Sequence, residues 1–350
     1  GSEMCIRDSQ TARQMKQIKN LLIIRQSALG DVCMTIPVIY QLAEQHPELT
    51  IKVLTRKRFR GLFFSCPPNV QMIEADPDLY RKSYQLFSLF RILRKEQIDA
   101  VADFHGVLRS YVLDALFRTK GIPVAILQKN RSQRKALTRR HNKVKQAQTS
   151  FFVRYAQALQ QLGLSVDLKA PNRYLPVVPK TIDANIKSIG IAPFARYFTK
   201  IYPLEQMAEV VRLLAEENYQ VYLFGNGKQE MTQMAEMAAS LPQVHIVSDK
   251  LSFEEQLQLM SGLHVMISMD SANMHLASLV HTPVLSIWGG TSPHCGFMGW
   301  NQSTDNALCK DLRCQPCSIS GTDKCPLAHF HCMRKIKPTE IISKIKEITK

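Results

Sequence analysis

Short runs of apolar, often β-branched residues alternate along this chain with stretches whose apolar positions recur every three or four residues. The first pattern predicts buried strands and the second amphipathic helices. In the first half, strands are expected at 18–25, 50–55, 71–74, 99–105 and 122–126, and a helix follows the first strand to about Gln45. A further helix is expected over 151–162. The second half repeats the alternation, with strands at 188–192, 220–224, 244–247, 264–269 and 283–288. Helices are expected there at 204–217, 229–240, 253–261 and 271–280, and a last one begins at Pro338. Strands that alternate with helices predict an α/β architecture with parallel sheets.

Three prolines between 171 and 179 mark a linker. The expected organisation is a first domain over 16–172, a second over 173–337, and a C-terminal helix over 338–350 packing back on the first domain. Residues 1–15 read as a cloning or gene-model remnant outside the fold. Two α/β halves around a linker imply a cleft between facing sheets, with ligands at the carboxyl ends of the strands.

One stretch changes character midway. His264 to Met269 is an apolar run, whereas Asp270-Ser271-Ala272-Asn273-Met274-His275-Leu276-Ala277 has helical spacing behind two good N-caps. A strand, a sharp turn and a helix N-terminus follow from that pattern. Free amides and the helix dipole make such a terminus an anion site. The same pattern also fits an ordinary capped βα unit.

The chain has 350 residues, 45% of them hydrophobic, which suffices for two full cores. No apolar run is long enough to span a bilayer. The net charge of +16 is uneven: residues 1–180 carry +17 and the remainder −1. A basic first half points to nucleic acid, an anionic membrane surface or an acidic substrate. The nine cysteines do not form a secreted disulfide framework, so a reducing cytoplasm is expected. Cys314-X2-Cys317-X7-Cys325-X6-Cys332 has the spacing of a four-thiolate knuckle for structural zinc or iron. Unliganded cysteines packed beneath a loop are the other reading.

The chain resembles glycosyltransferase family 9, the ADP-heptose:lipopolysaccharide heptosyltransferases, over roughly 18–345. Three features carry the resemblance: Arg25-Gln26-Ser27-Ala28-Leu29-Gly30-Asp31-Val32, the Asp270 to Ala277 segment, and their separation by one domain. It implies a GT-B fold of two Rossmann-like domains with parallel sheets facing a central cleft. It also implies inverting, metal-independent transfer of heptose from ADP-heptose to a lipopolysaccharide inner-core acceptor. No catalytic cofactor and no nucleic acid are then expected. The enzyme would be cytoplasmic, in peripheral contact with the inner face of the cytoplasmic membrane. A family 9-like transferase with another nucleotide sugar or a protein acceptor is the alternative, followed by a basic nucleic-acid-binding α/β protein.

Inverting transfer needs one base on the acceptor hydroxyl. Asp31 matches the family's base, although an Asp there also caps a helix. Lys200, in Phe198-Thr199-Lys200-Ile201-Tyr202-Pro203, matches the family's lysine ahead of an aromatic-proline pair, which contacts the donor. The amides of Ser271, Ala272 and Asn273 suit the diphosphate, with Ala272 where the family usually has Gly. Asp270 is expected to hold the loop or a hydroxyl. His275 either donates to a phosphate oxygen or packs in its helix. Gly225 and Gly227 follow a strand in a weak nucleotide signature, and Glu230 stands nearby for the ribose. Trp288 borders the adenine pocket or lies in the core. Ser27 and Gly30, with Arg56, Arg58, Arg60, Arg131 and Arg134, are expected on the acceptor side, and the basic stretch 129–145 suits an anionic acceptor.

Overall fold

The apolar runs of the first half pair side by side in parallel: β1 (Asn20–Ile24), β2 (Thr50–Thr55), β3 (Val70–Glu74), β4 (Ala100–Asp103) and β5 (Val124–Ile126), in the order β3-β2-β1-β4-β5. The computed structural model describes residues 17–80, 83–174, 182 and 187–350. The expected remnant at 1–15 and residues 175–179 of the linker lie outside them.

Side chains on a strand alternate between faces, and β1 shows what each face meets. Leu21 and Ile23 enter a core with α1 (Leu29–Gln45) and α5 (Phe151–Gln160). Leu22 and Ile24 face Leu89, Phe90 and Leu93 of α2 (Ser83–Lys95) and Leu113 and Phe117 of α3 (Leu108–Arg118). A short helix α4 (Arg131–Thr138) precedes α5. Helix α1 is buried without interruption from Val32 to Ala43, because it lies between its own sheet and a helix of the second half.

The second sheet is likewise parallel, in the order β11-β10-β9-β6-β7-β8. Its elements in chain order are β6 (Ser188–Ala192), α6 (Leu204–Glu216), β7 (Gln220–Leu223), α7 (Gly227–Ala238), β8 (Val244–Ile246), α8 (Phe253–Ser261), β9 (Val265–Met269), α9 (Ala272–Leu279), β10 (Val284–Trp288) and β11 (Ala307–Cys309). A short α10 (His331–Arg334) and α11 (Pro338–Ile348) close the described chain. The edge strand β11 was not expected; it has only three residues and lacks a strong apolar run. The last helix corrects an expectation. Ile341, Ile342 and Ile345 of α11 enter the core beside α6, and Lys346 pairs with Glu217 at 2.7 Å. Its apolar stripe therefore completes the second lobe rather than returning to the first.

Both sheets reverse strand order once, between β1 and β4 and between β6 and β9. Ligand crevices in open α/β sheets form outside the strand carboxyl ends at such points. At the β4 end, Asp103 is fully buried and accepts the N–H groups of His105 at 2.8 Å and Gly106 at 3.0 Å and the Ser110 hydroxyl at 2.6 Å. Asp114 of α3 lies beside it, 1% exposed. Burial, reinforced by the Asp103 charge, pushes the Asp114 carboxyl up to about 8, so it is protonated near neutrality and can donate to Asp103.

A raised folded-state pKa makes this group increasingly destabilising as pH rises from its unfolded value toward 8, because only the unfolded chain ionises freely. Asp114→Asn should therefore raise Tm by about 3 °C or more at pH 8 and by much less near pH 4. Thermal melts at the two pH values check this, and an equal shift at both would refute the protonated pair.

Candidate functional site

The loops after β1, β6 and β9 converge on one cavity of about 500 Å³ between the lobes. The first lobe contributes Ala28, Leu29, Gly30 and Asp31. The second contributes Lys200, Glu230, Asp270, Ser271, Ala272, Asn273 and His275. The two sequence motifs thus meet across a shared crevice. Their approach is close: a Cβ placed on Gly30 would stand 3.0 Å from His275 Cδ2 and 3.4 Å from Ala272 Cα.

Asp31 occupies the third position of α1 and reaches back to accept the Ala28 N–H at 3.1 Å. It also pairs with Arg25 at 2.7 Å. Its side chain remains 29% exposed, against 7% for Arg25. Burial alone would raise the carboxyl, but Arg25 and the Ala28 amide outweigh it and hold Asp31 below the usual carboxylate range. Arg25 is fixed in turn by donating to the Phe104 carbonyl at 2.5 Å. Capping and projection into a cleft are therefore compatible in one side chain.

On the facing lobe, Asp270 is 4% exposed. It pairs with Lys200 at 3.0 Å and accepts the Thr291 hydroxyl at 2.7 Å. It thereby ties the loop after β9 to the loops that carry Lys200 and Thr291. Lys200 sits in the Phe198–Lys200 turn, which is pinned by Thr199 N–H to Thr322 O at 3.1 Å and Gly290 N–H to Thr199 O at 2.7 Å. Ser271 stands at the N-cap of α9 without a capping bond and turns its hydroxyl to Ser268, 3.3 Å away. The first amides of α9 consequently face the cavity without competition from that side chain. His275 is buried, and its Nδ1 has no partner. Burial, helped by Lys200 and opposed by Asp270 and Asp31, pushes its pKa down to about 4, so the ring is neutral at pH 7.

Other expected residues fall elsewhere. Ser27 contacts His105 Nε2 at 3.1 Å, outside the cavity lining. Gly225 is pressed against Met234, and Gly227 has φ +81 where α7 begins; neither lines the cavity. Arg56, Arg58, Arg60, Arg131 and Arg134 are likewise outside the lining. Arg60 is paired with Glu74 at 2.9 Å, and Arg134 lies over the Phe151 ring at 5.2 Å. Trp288 is a core residue, fully buried, and donates to Ser286 Oγ at 2.9 Å.

The basic stretch 129–145 departs from expectation in its second half. Lys143 donates to the carbonyls of Cys314, at 2.7 Å, and Pro316, and Lys145 binds Asp311 and the Leu312 carbonyl. Gln148 N–H then bonds His294 O at 2.9 Å, and Phe151 stacks on Phe297 at 4.5 Å. These lysines tie the lobes together instead of facing an acceptor. The cysteine cluster is a second correction. Among the described residues, no group of three or more His, Cys, Asp and Glu is placed to hold a metal, so the zinc or iron expected at Cys314, Cys317, Cys325 and Cys332 is not supported. Cys314 lies 3.9 Å from His329 Nε2, and the Cys317 thiol points at the Gly290 carbonyl at 3.5 Å. Burial pushes Cys332 up to about 12 and raises Cys317, which favours neutral, packed thiols.

Reading motifs from the sequence missed the aromatic walls Phe194, Phe224 and Phe297 and the cation Arg196. The carboxyl-end rule applied to β6 and β7 would have found three of the four, since Phe194, Arg196 and Phe224 directly follow those strands.

Two parallel sheets facing a polar cleft, with a carboxylate on one side and a helix N-terminus on the other, define a two-lobed α/β protein with its site between the lobes. The profile of glycosyltransferase family 9 (heptosyltransferase) matches residues 86–327, and the chain belongs to that family. It is 23% identical to lipooligosaccharide heptosyltransferase 2 of Campylobacter jejuni over 92% of this chain and 96% of that one. Among solved structures it resembles a family 9 glycosyltransferase of Veillonella parvula (TM-score 0.74, 16% identity, 96% and 98% of the two chains). It also resembles the Escherichia coli heptosyltransferase WaaC with ADP-2-deoxy-2-fluoro heptose (TM-score 0.66, 18% identity, 94% and 99% covered). The facing parallel sheets are the GT-B fold of these neighbours.

Gly30→Ala should lower turnover about tenfold or more, because α1 and α9 must separate to admit the methyl group. Gly61→Ala is the control, as its Cβ would meet only Phe253 Cβ at 3.6 Å. Steady-state turnover of the two folded variants checks this; equal activity would show that the close approach is dispensable.

Proposed function

We propose that this family 9 glycosyltransferase moves a heptose from ADP-heptose to an anionic lipopolysaccharide inner-core acceptor, with inversion and without a metal ion. One observation carries the reading: the Asp31 carboxylate and the uncapped N-terminus of α9, with Lys200 beside it, line the same cavity. The kinship with named heptosyltransferases, one of them solved with an ADP-heptose analogue, supports the choice of donor and acceptor. Family membership favours this reading over the nucleic-acid alternative.

In this reading, residues 173–337 form the donor domain and 16–172 the acceptor domain. The donor diphosphate rests on the amides of Ser271, Ala272 and Asn273. Lys200 supplies the positive charge for the leaving group, a role a metal fills elsewhere. It retains donors for this, because an ammonium has three and the Asp270 contact at 3.0 Å uses one. Neutral His275 adds an N–H. Phe194 and Phe224 offer a wall for the adenine, and Glu230 offers a carboxylate to the ribose. The acceptor hydroxyl lies at Asp31, on the face of the sugar opposite the diphosphate. As its oxygen bonds the anomeric carbon, the bond to the diphosphate breaks and the hydroxyl proton passes to Asp31. An ionised carboxylate held by Arg25 is a weak base, so the proton moves late, once the attacking oxygen has become acidic. In this reading Arg131, Arg134, Ser27, Arg56, Arg58 and Arg60 belong to the acceptor side of the first lobe.

Calorimetric titration should show ADP-heptose binding at least tenfold tighter than UDP- or GDP-sugars; equal affinities would favour a different donor. Asp31→Asn should cut turnover by about a thousandfold or more while leaving donor affinity within a factor of about two. An active variant would remove Asp31 from the chemistry. Because Arg25 lowers the Asp31 pKa, the acid limb of kcat/KM should lie below the ordinary carboxylate value. Arg25→Gln should move it to higher pH by about one unit or more, and an unmoved limb would mean that another group titrates there.

A further inference from the structure

The first lobe carries a feature that the cleft does not use. Helix α2 buries Leu86, Leu89, Phe90 and Leu93 and turns its other side to solvent. On a helix that serves only to cover a sheet, that side is polar. Here Phe87 is 52% and Ile92 46% exposed. They alternate with exposed Arg91, Arg94 and Lys95, and α2 contains no acidic residue. Helix α3 packs alongside and opens with Leu108, 83% exposed; the turn Pro77–Tyr80 before α2 presents Leu79 at 67%. Among the described residues, six of the ten exposed large apolar side chains lie between Leu79 and Tyr111, on α2 and on α3 and the turn before α2, both of which contact α2; single exposed apolar residues scattered over a surface are the ordinary case.

We infer that the outer face of α2, with Leu79 and Leu108, docks on an anionic lipid bilayer. Basic side chains flank the exposed apolar ones on this outer side, and both kinds of group have a place at a membrane interface. The apolar groups enter the acyl boundary, while the long cations reach back to anionic headgroups. A protein-binding patch differs in having an apolar centre with a polar rim. No helix among the described residues is long and apolar enough to cross a membrane, so the contact is peripheral. The patch begins at the same end of the first sheet as the reaction site, because Leu108 lies two residues beyond Gly106 at the carboxyl end of β4. Docking there holds the acceptor side of the cleft against the surface in which a lipid-anchored acceptor resides. The inference thus rests on the lipid acceptor proposed above.

The experiment is sedimentation of the full chain with vesicles of phosphatidylcholine, alone or mixed with phosphatidylglycerol, without donor or acceptor. The wild type should bind mixed vesicles about tenfold or more tighter than neutral ones and be released by raised salt. Phe87→Glu/Ile92→Glu should lose most of this binding. Arg91→Gln/Arg94→Gln should weaken it about tenfold or more at low salt, since each cation near such a surface counts for about fivefold. All variants should keep full transfer to a delipidated, soluble acceptor, which separates failure of docking from failure of the enzymatic reading. The proposal falls if the wild type ignores anionic vesicles or if the variants bind as it does. It also falls if the substitutions abolish self-association or a protein complex and leave vesicle binding unchanged.

Discussion

The cleft depends on one contact, the approach of the first turn of α1 to the first turn of α9 at Gly30, Ala272 and His275. Two helix N-termini, each carrying about half a positive charge, are thereby aimed at the same small volume. Such an arrangement needs negative charge, and the protein supplies it on one side only. Asp31 answers its own helix by accepting the Ala28 amide, and Arg25 holds it there. At α9, Ser271 turns away toward Ser268, and Asp270 is engaged by Lys200 and Thr291. The field left over at α9 is positive and points into the cavity, which is why this side suits a diphosphate and the other a proton acceptor.

The two acids of the cleft are held by different means. Asp31 is partly accessible and owes its low pKa to a buried arginine and a backbone amide. Asp270 is nearly inaccessible, so removing its lysine would strand a buried charge. Lys200 is committed to one contact within the protein, and it lines the cavity with its remaining donors. The backbone of the preceding residue, Thr199, is fastened to Thr322 and to Gly290, and that rigidity holds the ammonium at the cavity.

Much of this was legible in the sequence where local pattern decides the outcome. The β-branched runs gave ten of the eleven strands within a few residues, and the Arg25 to Val32 and Asp270 to Ala277 motifs led to the two sides of the cleft. What escaped prediction depends on which surface a segment meets. Nothing local distinguishes Lys143 and Lys145, which bind carbonyls and an acid of the other lobe, from lysines left in solvent. The stripe Ile341, Ile342, Ile345 declares a buried face but not its partner, and α6 proved to be the partner. The cysteine spacing described a possible ligand set, whereas burial and hydrogen bonding determine what the thiols do. The walls Phe194 and Phe224 have no motif and are defined only by their position after a strand.

The uneven charge of the chain acquires meaning once it is located. A net +17 over residues 1–180 suggests a single basic surface, but the structure distributes it, and three of the places it occupies differ in kind. Lys143 and Lys145 lie in the seam between lobes, where Arg134 and Arg154 stand against the Phe151 ring at 5.2 and 5.0 Å. Arg154 is 1% exposed, and its side-chain nitrogens have no hydrogen-bond partner, so the aromatic face is the favourable contact available to it. Arg25 belongs to the cleft and tunes Asp31. Arg91, Arg94 and Lys95 stand on the outer helix among apolar side chains. Of these three groups only the outer one is free to meet an extended anionic surface. The basic character of that helix is separate from the reacting groups, and it can change without altering the chemistry of the cleft.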